Sequence, residues 1–153
     1  MLYALALLAG IVAGSRTLTA PAAVAWATHL GLLDLDGSWL AFMGNIWTVW
    51  VFSVLALVEL IADQLPSTPS RKVPLQFGAR LVSGALCGAT LGVSGGSWIV
   101  ALVAGVIGAV VGTYGGAEVR ARMAKAFGRD SPAAVIEDIG AIVLGFIVVL
   151  ALR

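Results

Sequence analysis

The chain has 153 residues, of which 60% are apolar and only 11% charged, whereas an ordinary soluble domain is about 25% charged. That leaves too little polar surface to coat a water-soluble globule, and it is the opposite of the apolar-poor, charge-rich composition of a disordered chain. Nine Lys and Arg against eight Asp and Glu leave a net charge of +1, so no excess is available to neutralise phosphates and a nucleic-acid partner is excluded.

The composition points to an all-α fold. The expectation is a polytopic transmembrane helical bundle of about five spans, the first interrupted, forming a single transmembrane domain over 1–153. Each crossing takes roughly 20 apolar residues. Met1 to Leu33 is apolar apart from Gly14-Ser15-Arg16-Thr17 and His29. As one straight helix it would be roughly 50 Å long, against about 30 Å of hydrocarbon. The first span, about 1–31, is therefore expected to break near 14–17, with Gly14, Ser15 and Thr17 as the break around Arg16 and Pro21 just beyond it. The break marks either one interrupted crossing or the tip of a hairpin. Each half is short for a full crossing, which favours the interrupted crossing. The N-terminus lacks the basic region of a cleaved signal peptide and is expected to belong to the mature protein.

An acidic loop follows at 34–37, and a second span is predicted over 38–63, bearing Trp39, Trp47 and Trp50. Prolines 66, 69 and 74 keep the next stretch irregular; it carries Arg71 and Lys72. Spans three and four are predicted over 76–93 and 98–117, joined by the turn Ser94-Gly95-Gly96-Ser97. A polar helical continuation follows, with Gly128 as its stop. Ser131 reads as an N-cap with Pro132 in the first helical position of a last span over 132–152. The segments 64–75 and 118–130 hold six of the nine Lys and Arg, and 34–37 and 94–97 hold none. By the positive-inside rule the basic loops 64–75 and 118–130 face the cytoplasm and the C-terminus lies outside. The N-terminus is inside for one crossing and outside for a hairpin.

Glycines recur every fourth residue at Gly84, Gly88 and Gly92, at Gly108, Gly112 and Gly116, and at Gly10 and Gly14. Such faces let helix backbones approach closely, and a homodimer through them is expected. Cys87 is the only cysteine; it reads as a small packing residue.

The strongest pointer to function is charge inside the apolar spans. Glu59 and Asp63 are an i, i+4 pair facing one direction. Arg80 lies about one turn inside the third span, Glu137 and Asp138 about one and a half turns inside the last, and Arg16 in the break of the first. An unpaired ion at the bilayer centre costs about 2.5–3.5 kcal/mol on insertion scales. These six residues should therefore face the bundle and pair, Arg80 with Glu59 or Asp63 and Arg16 toward Glu137. The cluster is either a binding or proton-relay site or a structural ion network. No metal is expected, since the carboxylates lack a diagnostic ligand spacing, and no cofactor is implied. A broken helix at Gly14–Thr17 can alternatively receive an anion on free N–H groups beside Arg16. His29 reads as an interfacial polar residue. No catalytic triad and no phosphate-binding loop can be assembled, so the chain is not expected to be an enzyme.

Six runs carry a resemblance: Ala13-Gly14-Ser15-Arg16-Thr17-Leu18-Thr19-Ala20-Pro21, Glu59-Leu60-Ile61-Ala62-Asp63-Gln64-Leu65-Pro66, Thr68-Pro69-Ser70-Arg71, Phe77-Gly78-Ala79-Arg80, Gly112-Thr113-Tyr114-Gly115-Gly116 and Ile136-Glu137-Asp138-Ile139-Gly140-Ala141-Ile142. Over nearly its whole length the chain resembles a family of small bacterial membrane proteins known only as a domain of unknown function. The resemblance implies a polytopic α-helical fold in a bacterial inner membrane and no particular activity. The expected function is that of a small inner-membrane transporter or channel-like protein for an ion or small polar solute, with the lipid bilayer as its surroundings. The alternative is a non-transporting scaffold, subunit or lipid-binding module.

Overall fold

The computed structural model describes residues 1–64 and 73–153. Among them are six α-helices: α1 (Leu2–Ser15), α2 (Thr19–His29), α3 (Ile46–Ala62), α4 (Pro74–Val93), α5 (Trp98–Phe127) and α6 (Asp130–Leu150). A short 3-10 helix, Ala41–Gly44, precedes α3, and the described residues contain no strand. Helices α5 and α6 are long and apolar enough to cross a membrane, and α1 and α3 are shorter apolar helices. The expected basic residues Arg71 and Lys72, the run Thr68-Pro69-Ser70-Arg71 and most of the loop 64–75 lie outside the described residues.

Two helix starts are capped differently from the sequence reading. Helix α3 begins at Ile46 instead of Ser38, because Asn45 is extended and its side chain accepts a hydrogen bond from the Trp47 N–H at 2.9 Å. Upstream, the Ser38 hydroxyl donates to the Leu35 carbonyl at 2.7 Å. These local side-chain bonds compete with helix formation and fold Leu35, Leu40 and Met43 inward. Helix α5 includes the expected polar continuation to Phe127 and ends, as expected, at Gly128, whose φ of +69° is the left-handed cap a glycine permits. Helix α6 is capped by Arg129, not Ser131. This puts the Asp130 carboxylate in the first turn, where the helix dipole favours it. Pro132 is tolerated there because first-turn N–H groups have no intrahelical partner.

The first segment is a hairpin, not one interrupted crossing. Helix α1 runs alongside α5: Leu2 lies at Gly95, Gly10 at Gly105, and Gly14 at Ala109 and Thr113. Arg16 then leaves the helix in an extended conformation (φ −135°, ψ 112°), and the chain turns back. Helix α2 runs antiparallel to α3, with Leu18 at Glu59, Trp26 at Ser53 and His29 at Gly44. Both chain termini therefore lie at the end of the bundle that holds the 94–97 turn. The hairpin tip lies at the opposite end, with the start of α6 and the end of α3.

Helices α1, α4 and α5 share a seam of glycine. A Cβ on Gly10 would strike the Gly105 carbonyl, one on Gly105 the Gly84 carbonyl, one on Gly88 the Ala101 carbonyl, and one on Gly108 or Gly112 a carbonyl of α1. The expected homodimer through these faces is therefore not available at these positions, because the chain's own helices already fill them. Gly105→Ala is expected to cost at least about 1–3 kcal/mol from overpacking against backbone. Gly78→Ala, where an added Cβ meets nothing within 4 Å, should stabilise by up to about 1 kcal/mol through helix propensity. Thermal unfolding in detergent, followed by helical circular dichroism, measures both.

The core is built of small residues. Ala6, Ala9, Ala13, Ala25, Ala27, Ala89, Ala101 and Ala109 are buried, while Trp47, Ile61 and Phe146 are 76%, 68% and 65% exposed. Cys87 is buried among the small residues, as its apolar setting suggested.

Candidate functional site at the hairpin tip

The hairpin creates a chemical problem at its tip. Helix α1 ends with unpaired carbonyls that carry partial negative charge, and α2 starts with unpaired N–H groups that carry partial positive charge. Side chains from three other helices satisfy them. Nη1 of Arg80, on α4, donates to the Gly14 and Ser15 carbonyls, both at 2.8 Å. Glu59, on α3, accepts the Thr17 N–H on Oε1 at 2.6 Å and the Leu18 N–H on Oε2 at 2.8 Å. The Ser83 hydroxyl, one turn beyond Arg80, donates to the Thr17 carbonyl. Thr113, on α5, donates to the Ala109 carbonyl at 2.7 Å and lies 3.3 Å from the Gly14 carbonyl. Each charge thus opposes the helix end it faces.

Arg16 occupies the tip itself and its side chain is fully buried. Its guanidinium pairs through Nη1 with Asp63 and through Nη2 with Asp138, and Glu137 stands 3.8 Å from Nη2. Gln64 donates to the other oxygen of Asp138 at 2.8 Å. Arg120, on the polar end of α5, bonds Asp130 through Nε at 3.0 Å and lies 3.5 Å from Glu137.

The structure therefore brings Arg16, Glu59, Asp63, Arg80, Glu137 and Asp138 to one place, beside the break at Gly14, Ser15 and Thr17. The pairing differs in part from the expectation. Arg16 reaches toward Glu137 as anticipated but engages Asp63 and Asp138 more closely, and Arg80 holds the end of α1. The break does present N–H groups to an anion, and that anion is the chain's own Glu59. Sequence reading passed over Ser83, Gln64, Thr113 and Arg120. Ser83 was detectable in principle, since it lies on the same helical face as Arg80. His29 sits at the far end of α2 from the tip, its Nδ1 donating to the Gly44 carbonyl at 2.9 Å. Among the described residues, no group of three or more His, Cys, Asp or Glu is arranged to hold a metal ion.

Five of the six runs that carried the resemblance meet at this tip. The sequence model of the family described as Domain of unknown function (DUF4126) matches residues 3–152. The chain belongs to this family. No curated protein and no solved structure matches it. In this DUF4126 chain, residues from five of the runs build one three-dimensional feature: Arg16 from the first, Glu59 and Asp63 from the second, Arg80 from the fourth, Thr113 from the fifth, and Glu137 and Asp138 from the last.

Proposed function

We propose that this DUF4126 protein is a small multi-pass protein of the bacterial inner membrane, and that it passes an ion or small polar solute by way of the hairpin tip. An exterior of large apolar side chains around a core of alanine and glycine supports the membrane setting. Lipid gives helices no hydrophobic reason to hide large residues, so close backbone packing takes over. Under the positive-inside rule the basic 118–130 segment faces the cytoplasm. The tip then lies toward the cytoplasmic side and both termini lie outside.

One observation carries the transport reading. Three carboxylates, Asp63, Glu137 and Asp138, gather at the buried guanidinium of Arg16. Arg120, the next cation, has Asp130 as its closer partner. Carboxylates gathered inside a membrane bundle are the groups that commonly mark ion pathways. The solute class that fits is therefore cationic. In proteoliposomes, a proton- or cation-sensitive dye should report flux above that of empty liposomes. Glu137→Gln and Asp138→Asn should lower it at least about tenfold while circular dichroism and gel filtration remain those of the native protein. Flux indistinguishable from empty liposomes refutes the reading.

A second reading, a non-transporting scaffold, draws on the saturation of the tip. Both oxygens of Glu59 and Nη1 of Arg80 already hold backbone groups, as a structural clasp would. On this reading the same carboxylate variants unfold instead of losing flux.

A further inference from the structure

One helix at the tip is built unlike the others. Helices α1, α4 and α5 are locked backbone to backbone along the glycine seam. Helix α2 buries eight of its 11 residues and packs against α3, α4 and α6. Helix α3 buries two of its 17, Val49 and Ala56, and packs mainly against α2 and the 3-10 helix, so it is the outboard helix of the bundle. Val51, Val54, Leu57, Val58 and Ile61 on its outer side are all more than half exposed. In lipid such a face has no hydrophobic reason to dock, because acyl chains are as apolar as leucine.

The two ends of α3 are held differently. At its start Val49 is fully buried, Leu40 and Met43 just before it sit in the core, and the Gly44 carbonyl is bonded to His29. Beyond Ala56 no residue of α3 is buried, and its attachments are polar. Glu59 accepts the Thr17 and Leu18 N–H groups, and the Asp63 carboxylate pairs with Arg16. The Asp63 carbonyl lies 3.4 Å from Arg120 Nη2, and the Gln64 amide donates to Asp138 at 2.8 Å. One short segment thus straps the hairpin tip, α5 and α6 together across a buried guanidinium. Bonds of this kind are exchangeable for bonds to water, and a segment with few buried apolar contacts opens without global unfolding.

We propose that residues 59–64 are a lid over Arg16. The hinge is at Asn45, whose extended backbone joins the 3-10 helix to α3; hinges of this sort lie at the ends of elements. At 1.5 Å per residue α3 is about 25 Å long, so a tilt of about 15° carries Asp63 about 6 Å and parts it from Arg16. The same tilt parts the bond from the Trp26 indole to Ser53, midway along the helix. Asp138 and Glu137 belong to α6 and stay with the guanidinium, so opening hydrates Arg16 without leaving it unpaired. The lid does not depend on transport.

Two measurements in lipid vesicles test it. In the native protein, lid opening frees the Thr17 and Leu18 amides, whereas Val12 and Ala13 in α1 wait for the seam to part. Hydrogen exchange should therefore run at least about tenfold faster at the first pair than at the second. Equal rates would mean that α3 leaves only when the whole bundle unfolds, which overturns the proposal. The second measurement uses Glu59→Gln, Asp63→Asn and Gln64→Ala together, in a Cys87→Ala background. Nitroxide labels at Ile61 and Ile139, both exposed, should move apart by about 6 Å by electron paramagnetic resonance, the displacement of the tilt. Labels at Leu30 and Trp47, beside the hinge, and at Val82 and Val111, on the seam helices, should keep their native distances. An unchanged Ile61–Ile139 distance means a fixed helix. Equal lengthening at Leu30–Trp47 means that α3 detaches whole, and a broadened Val82–Val111 distance means that residues 59–64 hold the fold itself. Each of these three results sinks the lid.

Discussion

Arg16→Met is expected to destabilise the bundle by about 3–5 kcal/mol, the loss typical of removing one partner from a buried ion pair. The guanidinium is fully buried and faces Asp63, Glu137 and Asp138. Methionine fills a similar volume, so the penalty comes from carboxylates left to repel one another and not from a cavity. Arg16→Lys should recover little, because one ammonium cannot bridge Asp63 and Asp138 from two separate nitrogens. Adding Asp63→Asn and Asp138→Asn to Arg16→Met should restore a large part of the loss, since the uncompensated charge is then gone. Thermal unfolding in detergent measures all three. An Arg16→Met protein within about 0.5 kcal/mol of wild type, the range of an ordinary surface substitution, would sink the claim that the tip is held by charge.

Glu59→Gln should cost about 1.5–3 kcal/mol, the value of hydrogen bonds to a charged group. The carboxylate uses one oxygen for the Thr17 N–H and the other for the Leu18 N–H. A glutamine keeps one acceptor and sets its NH2 donor against the second N–H. Glu59→Ala removes both acceptors and should cost more. Stability alone does not localise the effect, and amide hydrogen exchange does. The Thr17 and Leu18 amides should be protected in the wild type and exchange much faster in both variants, while amides in the glycine seam of α1 and α5 keep their protection. Equal acceleration along the whole chain would mean that Glu59 contributes only general stability.

The all-helical class could be read from composition and hydropathy, and most helix positions followed to within a few residues. The errors are instructive. Residues 38–45 are apolar enough to pass as helix, but Ser38 and Asn45 make local bonds that hydropathy does not register. The six charged residues could be picked out because intramembrane charge is costly and must converge on a partner. Their individual pairings could not, because a guanidinium of given depth finds both carboxylates and free helix-end carbonyls within reach. Arg80 took the carbonyls. Likewise the repeat of Gly84, Gly88 and Gly92 announced close packing but not with which helix, since any small-residue face accepts any other.

From residue types and spacing alone, this chain was bound to form apolar helices, to interrupt the first near Gly14–Thr17 and to gather its buried charges. Whether the chain passes straight through that interruption or doubles back depends on contacts remote in sequence. Glu59 and Arg80 clasp the two open helix ends from 41 to 66 residues away. A helix break looks the same locally in either geometry, because its unpaired N–H and carbonyl groups need partners in both. Only the assembled bundle supplies those partners, and they are placed to suit a hairpin.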